Sequence, residues 1–170
     1  ALILIIWIKI SLPHLAGQPA SKQQSILKVL IHPGIGAILA VIFVWILAHN
    51  ILYTFISPYL SAVQLSEHID LILLIFGLSS IFGIWITGIW IDRSLRRLTL
   101  ISLTGFAIAA LFMGLSGHHI WLVMLGIVLW GMTFGGAPTL LQTALADVAD
   151  ENVDIAQSML VTVFNLAVAG

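Results

Sequence analysis

Four long apolar runs, broken only by short polar stretches, dominate what this chain can fold into. They extend over about Gly34 to Ile56, Leu71 to Ile91, Leu98 to Ser116 and Ile120 to Ala146, and a fifth begins near Ile155. Each whole run is about as long as a helix needs to cross a hydrocarbon core of ~30 Å. In lipid the backbone must satisfy its own hydrogen bonds, which leaves helices or a closed barrel. Unbroken apolarity without alternation excludes the barrel. The expected fold is an all-α membrane protein.

Composition supports lipid as the solvent: 61% of the 170 residues are hydrophobic, only 8% are charged, and the net charge is −1. Phosphate recognition draws on clustered Lys and Arg, so this balance argues against a nucleic-acid partner. With no cysteine, disulfides, thiolate metal sites and cysteine nucleophiles drop out. The chain opens without Met in an apolar stretch and stops at Gly170 inside another. It reads as a fragment, with residues 1–10 the end of a cut transmembrane helix, 11–33 a cytoplasmic linker and 34–170 a truncated transmembrane half-bundle. Within the linker, Ser21-Lys-Gln-Gln24 has capping-box spacing and allows a short interfacial helix through Leu30, although a solvated connector fits the composition better.

Charge sets the expected orientation. Lys9, Lys22 and Lys28 precede the first whole run, and Arg93, Arg96 and Arg97 follow the second. Two crossings return the chain to its starting side, so all six basic residues fall on one face, expected to be cytoplasmic. Gly117-His118-His119 is so short a turn that the helices beside it must be antiparallel neighbours. Asp154-Ile-Ala-Gln157 reads as a cap for the last helix, with Asp147, Asp150 and Glu151 near its positive end.

Two helices carry polar stripes. At 100° per residue, His49, Asn50, Tyr53 and Thr54 share an arc of about 140° with Ser57, and Gln157, Ser158, Thr162 and Asn165 share another of about that width. Interhelical hydrogen bonds explain single hydroxyls; two whole stripes favour a shared wet passage. His49 is the one titratable group well inside a span other than the neighbouring tyrosine. Two readings fit it: a neutral ring bonded to Tyr53 one turn on, or a group lining the substrate and proton path. Gly131, Gly135, Gly136 and Pro138 concentrate helix-weakening residues at mid-membrane and favour a bend.

Gly88-x-x-x-Asp92-Arg93-x-x-Arg96-Arg97 resembles the loop motif of the major facilitator superfamily, in its second copy between helices eight and nine. Ala48-His49-Asn50 through Pro58-Tyr-Leu60 is similar to the seventh helix of the drug/proton antiporter and sugar-efflux branch. Pro138 to Gln142 and Ala146 to Asn165 look like its tenth and eleventh. Leu95 replaces the glycine of the strongest motif, which predicts a looser turn. The resemblance implies a partial six-helix half-bundle, from the end of helix six to helix eleven. It also implies a gating loop of Gly88, Asp92, Arg93, Arg96 and Arg97, with Asp92 facing arginines or a neighbouring helix terminus.

The implied activity is proton-coupled efflux of a small organic solute or drug by alternating access in the cell (plasma or inner) membrane. The implied partners are the bilayer, protons, the solute and a missing amino-terminal half. No cofactor or metal is implied, and His118-His119 alone makes a poor metal pair. The competing reading is a non-transporting receptor or a membrane-embedded enzyme; H-E-x-x-H spacing and a nucleophile with its base are both lacking.

Overall fold

The computed structural model describes residues 7, 11, 25–117 and 119–170, and every regular element among them is helical. The short helix α1 (Ile26–Leu30) precedes α2 (Ile35–Thr54) and the short α3 (Ile56–Ala62). A 3₁₀ turn at Ser66–His68 leads into α4 (Ile69–Leu115), followed by α5 (Ile120–Gly135) and α6 (Ala137–Ala149). A second 3₁₀ turn at Asp150–Asn152 then leads into α7 (Val153–Ala169). Lys9, Lys22, the Ser21–Gln24 capping box and His118 lie outside the described residues.

Helix α4 is two helices in one. Its backbone leaves helical geometry at Ser94 (φ −152°, ψ 37°), inside the charged motif. Contacts with α5 show what this break does. Along the first arm, 69–93, Phe76, Ser80, Gly83 and Thr87 meet Gly131, Gly135, Met132 and Gly136 respectively, so the two segments run in the same direction. Along the second arm, 95–115, Gly105 meets Thr133 while Ala109 and Met113 meet Gly126, so this arm is antiparallel to α5. The chain therefore reverses at Ser94, as the motif predicts, but the turn is wound into the ends of both arms instead of forming an open loop. The antiparallel pairing across 117–119 is likewise observed, with Gly117 at φ +51° in the left-handed region.

The seam between the first arm and α5 is built on small residues. A Cβ on Gly131 would lie 2.5 Å from the Phe76 carbonyl oxygen, and one on Gly83 would collide with the Met132 carbonyl. Backbone thus packs on backbone, the close approach that small residues permit between membrane helices. The opposite face of the same arm presents Leu74, Leu78, Ile81, Trp85 and Ile89, all more than half exposed. Their helical spacing makes one continuous apolar stripe. A bare surface of this kind is stable against acyl chains and not against water.

Helix α2 buries Ile35, Leu39, Ile42, Trp45 and Ile46 along one stripe. It is antiparallel to α5 and α6: Gly34 meets Val148 at one end, and His49 meets Trp130 and Phe134 toward the other. Successive long segments therefore alternate in direction. Lys28 and the three arginines gather at one end of the bundle with the 94 and 150–152 turns, while Glu67, Asp70 and His119 occupy the other.

Three local expectations are corrected. The run from Ile120 to Ala146 is not one helix: it divides at Gly136 (φ −84°, ψ −7°) into α5 and α6, where Pro138 can join a first helical turn that needs no N–H from it. Asp154 does not cap the last helix; the cap position is Asn152, without a side-chain bond, and Asp154 sits within the first turn. There its charge still meets the positive end of the helix dipole. Asp147 sits in the last turn of α6, not at the start of the next helix, and Asp150 adopts a positive φ of 46° at the joint. In the linker, α1 begins at Ile26 after Ser25, also without a side-chain cap.

Candidate functional site

Among the described residues, His49 is the centre of the best-organised polar arrangement. Its half-buried ring lies on Phe134, with ring centres 3.5 Å apart and planes within 1°. Phe76 from the first arm of α4 is 6.2 Å away and Tyr53 is 5.9 Å away, both roughly stacked. The Trp130 indole N–H donates to His49 Nδ1 at 3.1 Å. The polar link of His49 thus reaches across to α5, and Tyr53 makes a ring contact only. Trp45 extends the cluster through edge-on contacts with Phe106 and Phe134 at 6.3 and 6.2 Å, and Phe106 and Phe134 are tilted against each other at 6.2 Å.

The local sequence explains the arrangement. Trp130 and Phe134 are four apart on α5 and so share a face, and His49 and Trp45 are four apart on α2. The antiparallel crossing brings those two faces together. Since an indole nitrogen only donates, the bond fixes the neutral imidazole with its hydrogen on Nε2.

The remaining residues of the α2 stripe are less enclosed. Asn50 donates from Nδ2 to the Ile46 carbonyl at 2.9 Å, which leaves its side-chain oxygen available. Tyr53 is 51% exposed and Thr54 is exposed. On α7, Gln157 donates to the Gln142 carbonyl at 3.2 Å and ties α7 to α6. Ser158 and Thr162 bond back to carbonyls of their own helix, a habit of hydroxyls in helices, and Asn165 is exposed. Between α2, α6 and α7 the packing is mostly apolar, with a residual cavity of about 30 Å³ lined by Ile42, Ile46, Leu160 and Phe164 and by one polar side chain, Gln142. The polar groups of the two stripes that remain free are on exposed surface of this chain.

The charged motif stands at the basic end. Gly88, Asp92, Arg93, Arg96 and Arg97 are all exposed, and a Cβ on Gly88 would meet nothing within 4 Å. Arg96 has a notable neighbour, because it and Asp147 both line a 480 Å³ groove between α2, the second arm of α4 and α6. The groove places opposite charges from the motif and from the end of α6 at one mouth.

Trp130, Phe134, Phe76 and Asp147 were missed as site residues by sequence reasoning. The i, i+4 spacing of Trp130 and Phe134 was visible, but nothing in one sequence says which helix faces which.

The family model described as Major Facilitator Superfamily matches residues 1–170. The chain belongs to that superfamily. It is 30% identical over 98% of its length to the "Purine ribonucleoside efflux pump NepI" of Shigella sonnei, covering 44% of that protein. It is 29% identical, with the same coverage, to the proteins of that name from Escherichia coli (strain K12) and Shigella dysenteriae. The chain thus spans less than half the length of these curated relatives. No solved structure matches it. The superfamily assignment and the apolar stripe of α4 together make this a membrane protein, with a bundle of helices in lipid.

Proposed function

We propose that the chain is most of the carboxy-terminal half of a proton-coupled efflux transporter working by alternating access, with its basic end in the cytoplasm. The observation that carries this reading is the likeness to efflux pumps over 98% of the chain. The position of His49 supports it, since a titratable ring well inside a span suits proton exchange. In this reading two halves rock about a site near the midplane. His49, Asn50, Tyr53, Thr54, Gln157, Thr162 and Asn165 face the other half across the passage. Asp92, Arg93, Arg96 and Arg97, with Asp147 added by the groove, steady one of the two conformations, and Gly88 lets the helices close at that end.

The substrate proposed is a purine ribonucleoside, after the name of the relatives. The base is flat and aromatic, which suits a surface lined by Tyr53 and the half-buried Phe76; the sugar hydroxyls suit the free amide oxygen of Asn50 and the side chain of Asn165. Proton entry supplies the work: one charge moving through 100 mV provides about 2.3 kcal/mol, equivalent to roughly fifty-fold accumulation.

The test is efflux by the full-length transporter in everted vesicles. A radiolabelled purine ribonucleoside should enter such vesicles when they are energised, and a protonophore should abolish the uptake. Absence of nucleoside movement would remove the substrate, and movement insensitive to the protonophore would remove the coupling.

A further inference from the structure

We infer that Trp130 is the positioning residue through which a proton on His49 changes the contact between α2 and α5. This rests on the transporter reading above and deepens it by naming where the proton is read. His49 Nδ1 has a single lone pair in the plane of its ring, and that lone pair receives the Trp130 N–H. A proton arriving at Nδ1 takes the same lone pair. The nitrogen becomes a donor facing a donor, so bond and proton are mutually exclusive. Among the described residues this is the one side chain to side chain hydrogen bond between α2 and α5, and its loss removes the directional tie between them.

The surroundings decide what replaces it. Besides His49, the only titratable group on α2 is Tyr53, and α5 carries none. The first arm of α4 has Asp70, Asp92 and Arg93 at its extremities, and the second arm has Arg96 and Arg97 at its start. α6 has Asp147 in its last turn, and α7 has Asp154 in its first. No carboxylate lies at the level of His49 on any of these helices, so the imidazolium is held by ring faces: Phe134 stacked against it, and Phe76 at 6.2 Å, the range of cation–π attraction. A contact of that kind tolerates sliding, whereas the hydrogen bond does not. Two residues beyond Phe134 the helix breaks at Gly136. The tie therefore sits beside the joint at which α5 and α6 can change their angle.

The experiment uses the full-length transporter in proteoliposomes with radiolabelled adenosine, scanning pH on the side from which protons enter. His49→Gln keeps an acceptor for Trp130 and cannot be protonated, so its transport should become independent of pH. Trp130→Phe keeps a ring and removes the competing donor. Its pH profile should move to higher pH by about tenfold in proton concentration, the order expected for one hydrogen bond. A merely structural Trp130 would lower the yield of folded transporter without moving the profile. The inference is overturned if His49→Gln retains the wild-type pH dependence, or if folded Trp130→Phe retains the wild-type midpoint. Should Trp130→Phe not fold, the glutamine variant decides alone. Failure of the wild type to move adenosine at any pH is a different result, and it counts against the transporter reading.

Discussion

Trp45 and Trp130 are buried to the same degree in one aromatic cluster, at 2% and 1% exposure, yet only Trp130 has a partner for its indole N–H. Trp45 Nε1 is shut away from any acceptor, with Phe106 and Phe134 edge-on to its ring. Substituting phenylalanine should therefore affect the two sites differently. Trp45→Phe loses volume but relieves an unbonded polar atom, whereas Trp130→Phe loses volume and leaves His49 without its donor. Thermal unfolding in detergent should rank Trp130→Phe as the more destabilised, by on the order of 1 kcal/mol. Equal losses would contradict the asymmetry.

The glycine seam predicts a sharper cost. Ala at Gly83 places its methyl against the Met132 carbonyl, and Ala at Gly136 meets Thr87. At Gly83 the obstacle is backbone and cannot rotate away, so Gly83→Ala should destabilise by about 1–3 kcal/mol, the usual range for overpacking. Gly77→Ala on the same helix, with nothing within 4 Å, should be nearly neutral and serves as the control in the same unfolding assay.

At the end of the bundle away from the arginines, Tyr59 Oη lies 2.9 Å from both the Met113 carbonyl and the Ser116 hydroxyl. This fastens α3 to the last turn of α4 and its C-cap. Tyr59→Phe should cost about 0.5–1.5 kcal/mol. It should also raise hydrogen exchange at Ser116 and Gly117 ahead of the other described residues. Unchanged exchange there would mean that α3 is held by Ile56 and Leu60 alone.

Arg96 and Asp147 invite a double-mutant cycle. Neutralising either, as Arg96→Gln or Asp147→Asn, should slow efflux without reducing the amount of transporter in the membrane, and the double variant should be less impaired than the sum of the two. For exposed partners the coupling should be about 0.2–1 kcal/mol and should shrink with added salt. Asp92→Asn should also impair transport with insertion intact. Strict additivity of Arg96 and Asp147 would separate the motif from α6.

Much of this architecture was legible because lipid narrows the choices. Span lengths, the reversal around Ser94, the antiparallel pair across Gly117 and the gathering of basic residues at one end all follow from runs of apolar residues and the placement of charge. The break at Gly136 was legible as a weakness, though not as the end of a helix. Assigning Asp154 as a cap failed because Asn152, two residues earlier, takes that position after a 3₁₀ turn that leaves little local signature. The site was read by halves. His49 stood out by its chemistry, but its partners Trp130 and Phe134 come from a helix some eighty residues away, and periodicity along one helix carries no information about its neighbour.

The collection of Lys28, Arg93, Arg96 and Arg97 at a single end also bears on how long the molecule keeps its sidedness. Turning the bundle over would drag four permanent cations through hydrocarbon, at roughly 2.5–3.5 kcal/mol each even on the mildest scale. Flip-flop is thereby closed off once synthesis is complete. Whichever compartment first receives that end retains it for the lifetime of the protein, so the sidedness of the bundle is inherited from the moment of insertion.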